Sequence, residues 1–332
     1  MKRTTIAVGL LMLTVGFAQA QKITGAGATF PYPIYSKWFS EYSSAHPGVE
    51  VNYQSIGSGG GITQVTKGLV DFGASDMPMT DQALESSPVK LIHIPTVLGA
   101  VVPIYNVPGA TDVKFSPDVL ADVYLGKISN WNDPLIAKDN PGVTLPDRKI
   151  IVVHRSDGSG TSFIWTDYLS KVSHDWNDGP GKGSSINWPV GVGGKGNEGI
   201  AGLVRQMPGA IGYVELIYAI QNHIQFGQVR NASGKWVKAS IEGVTAAAAT
   251  AKIPADYRVS ITNAPGDNSY PISSFTYLLI PAKPADANKS KVLKDMLSWI
   301  VKSGEEQASS LSFAPLPQEL SDKVLKTVYA LQ

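Results

Sequence analysis

The chain has 332 residues, 28 Lys and Arg against 27 Asp and Glu, and no Cys. That length is enough for two domains of ordinary size. The balanced charge gives no support for nucleic acid or an anionic membrane as partner, and the lack of Cys excludes disulfides and thiolate metal sites.

The first segment reads as an export signal. Lys2 and Arg3 form a basic start, Ile6 to Phe17 an apolar stretch too short to span a bilayer comfortably, and Ala18-Gln19-Ala20 a small-residue cleavage signal. The mature chain is predicted to begin at Gln21, with 26 basic and 27 acidic residues, as a soluble exported protein. No Cys stands at the cleavage point to carry a lipid, which favours a free periplasmic protein over a lipoprotein. With no global positive field, any anion site must work through local donors.

Short apolar runs then alternate with amphipathic stretches, the signature of an α/β fold. Thr24-Gly25-Ala26-Gly27-Ala28-Thr29-Phe30-Pro31 reads as a Gly-rich turn before a helix candidate from Pro33 to Tyr42. Thr29 can present a hydroxyl and Phe30 a backbone N–H at that helix start; the plainer reading is an N-terminal turn. Val49 to Gln54 alternates like a strand, and Gly61 to Gly68 suggests a helix. Between them lies Ser55-Ile56-Gly57-Ser58-Gly59-Gly60-Gly61. Ser58 is a natural helix cap and anion donor, and the glycines permit close backbone approach to a ligand.

Val70 to Ala74 reads as a strand that runs into Ser75-Asp76-Met77-Pro78. Asp76 is a turn residue in the plain reading. In an oxyanion site it discriminates, because a carboxylate accepts a hydrogen bond from a protonated anion and repels an unprotonated one. Phosphate at neutral pH carries such a proton and sulfate does not.

Ile92 to Thr96 and Val101 to Tyr105 are expected as two strands, Val119 to Leu125 as a short helix and Ile150 to His154 as a strand. The segment that follows, Arg155-Ser156-Asp157-Gly158-Ser159-Gly160-Thr161, is the most informative of the chain. It joins a strand to a helix candidate, Ser162 to Leu169. Free N–H groups at such a helix start, together with the helix dipole, attract an anion. Ser159 and Thr161 add hydroxyl donors, and Arg155 adds a guanidinium suited to tetrahedral oxyanions. Asp157 can hold that guanidinium and accept a ligand proton, or simply form the turn. A capped helix after a tight turn accounts for the same residues.

Gly191-Val192-Gly193-Gly194-Lys195-Gly196, with Glu215 further on, fits a dinucleotide fingerprint. The run before it, Ile186 to Val190, is short and broken by Pro189, which argues against that reading. Lys195 is followed by Gly196, so no Walker A motif occurs there. The five His residues show no metal-ligand spacing, and neither Ser58 nor Ser159 sits in a nucleophile elbow. Further on, Gly199 to Met207 has helical spacing, Ala210 to Val214 and Thr276 to Ile280 read as strands, and Lys289 to Lys302 and Gln318 to Leu331 as helices. Ala-rich Val244 to Lys252 is compatible with a helix. No linker divides the chain, so two lobes would require it to cross more than once, near Tyr105-Asn106 and Ser269-Tyr270-Pro271.

Taken together, the Thr24–Pro31, Gly57–Gly61, Asp71–Asp76 and Arg155–Thr161 segments resemble the periplasmic phosphate-binding proteins of bacterial high-affinity phosphate ABC transporters. Tyr124–Ile128, Gly193–Ile200 and Pro208–Glu215 extend the likeness over nearly the whole mature chain, most weakly from Gln221 to Asn268. The resemblance implies the two-lobed, type II periplasmic binding protein fold. Each lobe would be a mainly parallel sheet flanked by helices, with 21–105 and 271–332 in one lobe, 106–270 in the other, and hinge strands between.

It also implies a phosphate site of Thr29, Phe30, Ser58 and Asp76 from the first lobe with Arg155, Asp157, Ser159, Gly160 and Thr161 from the second. Phe30 and Gly160 would act through their N–H groups. The expectation is a monomeric binding protein, not an enzyme and without a cofactor, that serves a membrane permease and its ATPase. A secreted phosphatase, or a phosphate-binding surface or signalling protein without a transporter, stands as the alternative; a sulfate or molybdate receptor of the same fold is disfavoured by Asp76. Ser156 and Gly59 depart from the family's usual Ala and Ser without removing any of these donors.

Overall fold

The computed structural model describes residues 21–284 and 286–331. The expected signal segment and its cleavage point lie outside them.

From the N-terminus the chain forms β1 (Gln21–Gly27), α1 (Tyr32–Ala45), β2 (Val49–Ser55), α2 (Ser58–Thr66), β3 (Phe72–Ser75), α3 (Asp81–Glu85) and β4 (Leu91–Tyr105). Next come β5 (Lys114–Phe115), α4 (Pro117–Tyr124), α5 (Pro134–Asp139), β6 (Ile151–Arg155), α6 (Gly160–Val172), α7 (His174–Asp178), β7 (Val192–Gly194), α8 (Gly196–Gln206), β8 (Ala210–Glu215) and α9 (Leu216–Gln221). Three short strands, β9 (Gln225–Phe226), β10 (Gln228–Arg230) and β11 (Trp236–Val237), lead to α10 (Ile241–Ala249). The chain ends with β12 (Ser273–Pro281), α11 (Ala287–Lys302), a 3-10 helix (Gly304–Leu311) and α12 (Gln318–Ala330). The Ala-rich stretch is thus helical as far as Ala249, and of the Gly-rich turn expected at Thr24 to Pro31 the residues up to Gly27 are instead the end of β1.

One sheet runs through both lobes in the order β2-β1-β3-β12-β4-β8-β6-β7, with β9 also on β4. Its flanks are parallel: β1 pairs with β2 and β3, and β6 with β7 and β8. Its centre is antiparallel, where β12 pairs with β3 and β4, and β4 with β8. The two strands expected at Ile92–Thr96 and Val101–Tyr105 are one, β4. Its residues up to Ala100 pair with β12 in the first lobe, and from Val101 onward they pair with β8 in the second. Pro95 stands inside the first expected strand and Gly99 in the gap between the two. Here Pro95 lies opposite Tyr277, beside the register shift in β12, and residues on both faces of the strand are buried, in keeping with its nearly continuous apolar run.

The first lobe packs the aromatic face of α1, with Tyr35, Trp38, Phe39 and Tyr42 buried, onto Tyr53 and Phe72. The second stacks Trp165 on Tyr213 at 5.0 Å and closes the layer with Tyr124 and Trp188. Such rings bury large areas and fix the strand-helix joints from below. The segment from Tyr257 to Thr262 ties the lobes together. Arg258 donates to the Met79 carbonyl at 2.8 Å on one side. On the other, Ser260 and Thr262 each donate at 2.6 Å to Asp167, buried on α6.

Candidate functional site

Four helix starts converge between the lobes: those of α1, α2, α6 and α8. Each follows a β-strand whose last residue delivers the turn, so the joints sit at the carboxyl ends of β1, β2, β6 and β7. This is the crevice where open α/β sheets place ligands.

In α6, Ser159 caps the helix by accepting the Ser162 N–H at 3.0 Å, and its own N–H goes to the Ser184 carbonyl. The first α-helical bond runs from Phe163 N–H to Ser159, so the N–H groups of Gly160 and Thr161 have no helical acceptor. In α2, Gly57 adopts φ +87° as the cap, a conformation an L side chain rarely takes, and a Cβ there would strike Asp157 and the Gly158 carbonyl. Gly59 N–H crosses the cleft to the Gly158 carbonyl at 2.9 Å. Gly160 lies so near Ser58 and Asp76 that a Cβ on it would overlap both side chains.

The structure therefore brings all the residues singled out in the sequence to one place. Thr29, Phe30, Ser58, Asp76, Arg155, Ser159, Gly160 and Thr161 are buried, and Asp157 is half-buried. Arg155 meets Asp157 in a two-pronged pair, Nε–Oδ1 at 2.7 Å and Nη2–Oδ2 at 2.5 Å, and Gly196 N–H donates to the same Oδ1 at 3.2 Å. Burial works against ionised Asp157, but the adjacent Arg155 guanidinium and the Gly196 N–H hold its carboxyl below the usual carboxylate range. Of the two expected parts for Asp157, holding the guanidinium is the one these contacts describe.

Asp76 is different. Its Oδ1 accepts from Thr276 at 2.7 Å, its Oδ2 faces the Ser58 hydroxyl at 3.4 Å, and its N–H donates to that hydroxyl at 3.1 Å. Complete burial pushes its carboxyl up to about 7, against the opposing pull of Thr276, Arg155 and Ser58. Because the Arg155 and Asp157 charges offset each other, an anion here is met by helix starts and neutral donors. One carboxyl faces it as acceptor.

Sequence reasoning missed several contributors. Thr276 stands 200 residues from Asp76 and lies on β12, where no local motif marks it. Tyr218 donates its hydroxyl to the Thr29 carbonyl at 2.6 Å, across the lobes. Asn197 reaches the hydroxyls of Thr29 at 2.7 Å and Thr161 at 3.2 Å. It sits in the Gly193–Ile200 segment that carried part of the resemblance. The Gly-rich run Gly191–Gly196 forms the β7–α8 joint beside Asp157, and Glu215 caps α9 by accepting the Ile217 N–H at 2.7 Å.

A family model described as a PBP superfamily domain matches residues 16–304. A Pasteurella multocida protein named phosphate-binding protein PstS is 46% identical over 329 residues, covering 98% of this chain and 95% of that protein. The chain belongs to the PstS family. A second member, from Haemophilus influenzae, is 45% identical over 94% of this chain and 93% of its own length. Among solved structures, a phosphate-binding protein from Stenotrophomonas maltophilia superposes with a TM-score of 0.72 at 20% identity, covering 92% of this chain and 93% of that one. That likeness concerns the fold, and it agrees with the two lobes and the shared central sheet.

Proposed function

We propose that this PstS-family chain binds inorganic phosphate in the interlobe cleft and delivers it to the permease and ATPase of an ABC importer. It is a binding protein and not an enzyme. The observation that carries the ligand reading is the fully buried carboxyl of Asp76 among hydroxyls, N–H groups and a guanidinium that can donate, the Asp157 carboxyl being taken up by Arg155. Thr29, Ser58, Ser159 and Thr161 contribute hydroxyls, Phe30, Gly160 and Thr161 contribute N–H groups, and Arg155, braced by Asp157, contributes a guanidinium. A protonated phosphate gives its proton to Asp76 and accepts from the rest; sulfate has no proton to give and sets oxygen against oxygen.

Binding is coupled to closure, since the donors come from both lobes and assemble only when these meet. The lobes are assigned as 21–105 with 271–332 and as 106–270; the exchange of partners by β4 between Ala100 and Val101 supports a crossing near its end. The protein works as a periplasmic monomer after removal of its signal peptide at Ala20.

The test is calorimetric titration of the purified protein, unfolded and refolded to strip carried-over phosphate, with phosphate and with sulfate near pH 7. Tight one-to-one phosphate binding without sulfate heat is expected. Sulfate binding as tight as phosphate would make the protein a general oxyanion receptor, and heat from neither would remove the ligand reading.

A further inference from the structure

Asn197 is fully buried at the second position of α8, and each hydrogen-bonding function of its side chain is in use. Its Oδ1 accepts the Glu215 backbone N–H at 3.1 Å. A backbone N–H can only donate, so this bond fixes the amide orientation and turns Nδ2 toward the cleft. The two Nδ2 hydrogens go to Thr29 Oγ1 at 2.7 Å and Thr161 Oγ1 at 3.2 Å. Thr161 Oγ1 also faces Arg155 Nη1 at 3.4 Å.

An amide nitrogen and a guanidinium cannot accept, and a hydroxyl has one hydrogen and two acceptor positions. Both acceptor positions of Thr161 are therefore filled, and one of those of Thr29. Neither hydroxyl can turn its hydrogen toward these neighbours. We propose that Asn197 is a positioning residue that locks the Thr161 hydroxyl, and biases that of Thr29, as donors toward the ligand, so that Asp76 is the main acceptor of a ligand proton. Thr29 and Thr161 belong to opposite sides of the cleft, so the lock is complete only in the closed form. Free hydroxyls could accept as readily as donate and would blur the distinction between dibasic and monobasic phosphate. This inference rests on the phosphate reading above.

The test is a double-mutant cycle of Asn197→Ala and Thr161→Val, read by phosphate titration of the stripped protein from pH 6 to pH 8.5. Each single substitution is expected to weaken phosphate binding about tenfold, and the double variant no more than about threefold beyond the weaker single, because both changes remove the same oriented donor. Asn197→Ala should also tilt the pH profile toward monobasic phosphate by roughly tenfold across that range, since the freed hydroxyls can accept its second proton; lost packing alone would leave the profile parallel to wild type.

Should Asn197→Ala fail to fold, Asn197→Asp keeps the acceptor for Glu215 N–H while reversing the donor face. It is expected to bind at least about a hundredfold more weakly, with the same tilt. Fully multiplicative losses, or profiles parallel to wild type, overturn the lock while leaving the phosphate reading intact. A wild-type protein that binds no phosphate overturns both.

Discussion

Replacing Asp76 by Asn separates an acceptor from a mere buried polar group. The introduced amide can keep its oxygen on the Thr276 hydroxyl, now 2.7 Å away, and turn its nitrogen into the cleft. Phosphate then loses a hydrogen bond to a charged group, about 1.5–3 kcal/mol, or roughly a tenfold to hundredfold weakening. Sulfate moves the other way. In wild type it meets either an ionised carboxylate, a repulsion of about 4 kcal/mol at 4 Å and an effective dielectric near 20, or a carboxyl that must first take up a proton. Burial already raises that carboxyl from its ordinary 3.8 to about 7.

Sulfate binding to wild type should therefore tighten by about tenfold for each pH unit lowered from 9 toward 7, because each bound sulfate brings one proton to Asp76, and level off below about 7, where the carboxyl is already protonated. In Asp76→Asn the dependence should vanish, and the phosphate-to-sulfate ratio near pH 7.5 should fall by about a hundredfold. Calorimetry with both anions at several pH values measures this, with the melting temperature of the stripped variant as a check on folding. A ratio within threefold of wild type, or a sulfate pH slope that survives the substitution, would refute the acceptor role.

Two further substitutions probe closure and stability. Gly160→Ala places a methyl group against Ser58 and Asp76 in the closed cleft while leaving the first turn of α6 able to form. Phosphate affinity should drop by more than about a hundredfold, from the several kcal/mol of overlap that closure would incur, with the stripped protein's melting temperature changed by only a few degrees; scattering in saturating phosphate should show a more open shape than wild type. Glu305 lies buried in the 3-10 helix, where burial pushes its carboxyl up to about 8 although Leu316 N–H and Ser321 donate to it. A carboxyl whose folded value lies above its unfolded 4.5 gives stability that is present below 4.5 and is lost as pH rises through 8. Glu305→Gln should thus match wild type near pH 4.5 and melt about 2–4 °C higher at pH 8.5, with phosphate binding unchanged.

The local part of the site was legible in the sequence. The joints at Arg155–Thr161, Ser55–Gly61 and Thr24–Pro31 announce themselves because a Gly-rich turn, a capping hydroxyl and a following apolar period are properties of neighbouring residues. These segments supplied the expected donors, and Asp76 was singled out at the end of the Val70–Ala74 strand, since a carboxylate at a strand end beside such turns has a definite chemical meaning for an oxyanion. The α/β class followed from the alternation of short runs, and the two lobes from the ordered resemblance.

Tertiary structure decided what depends on residues far apart in the chain. The raised carboxyl of Asp76 comes from its burial, opposed by the hydrogen bond from Thr276, which the antiparallel pairing of β12 with β3 and β4 brings to it. Two strands were expected where β4 is one, held continuous by pairing with β12 up to Ala100 and with β8 from Val101. Asn197 looks like any polar residue in the first turn of a helix until Thr29, 168 positions away, arrives across the closed cleft. Local sequence sets which groups a turn exposes, whereas their burial, charge state and orientation depend on neighbours that only the folded chain brings within reach.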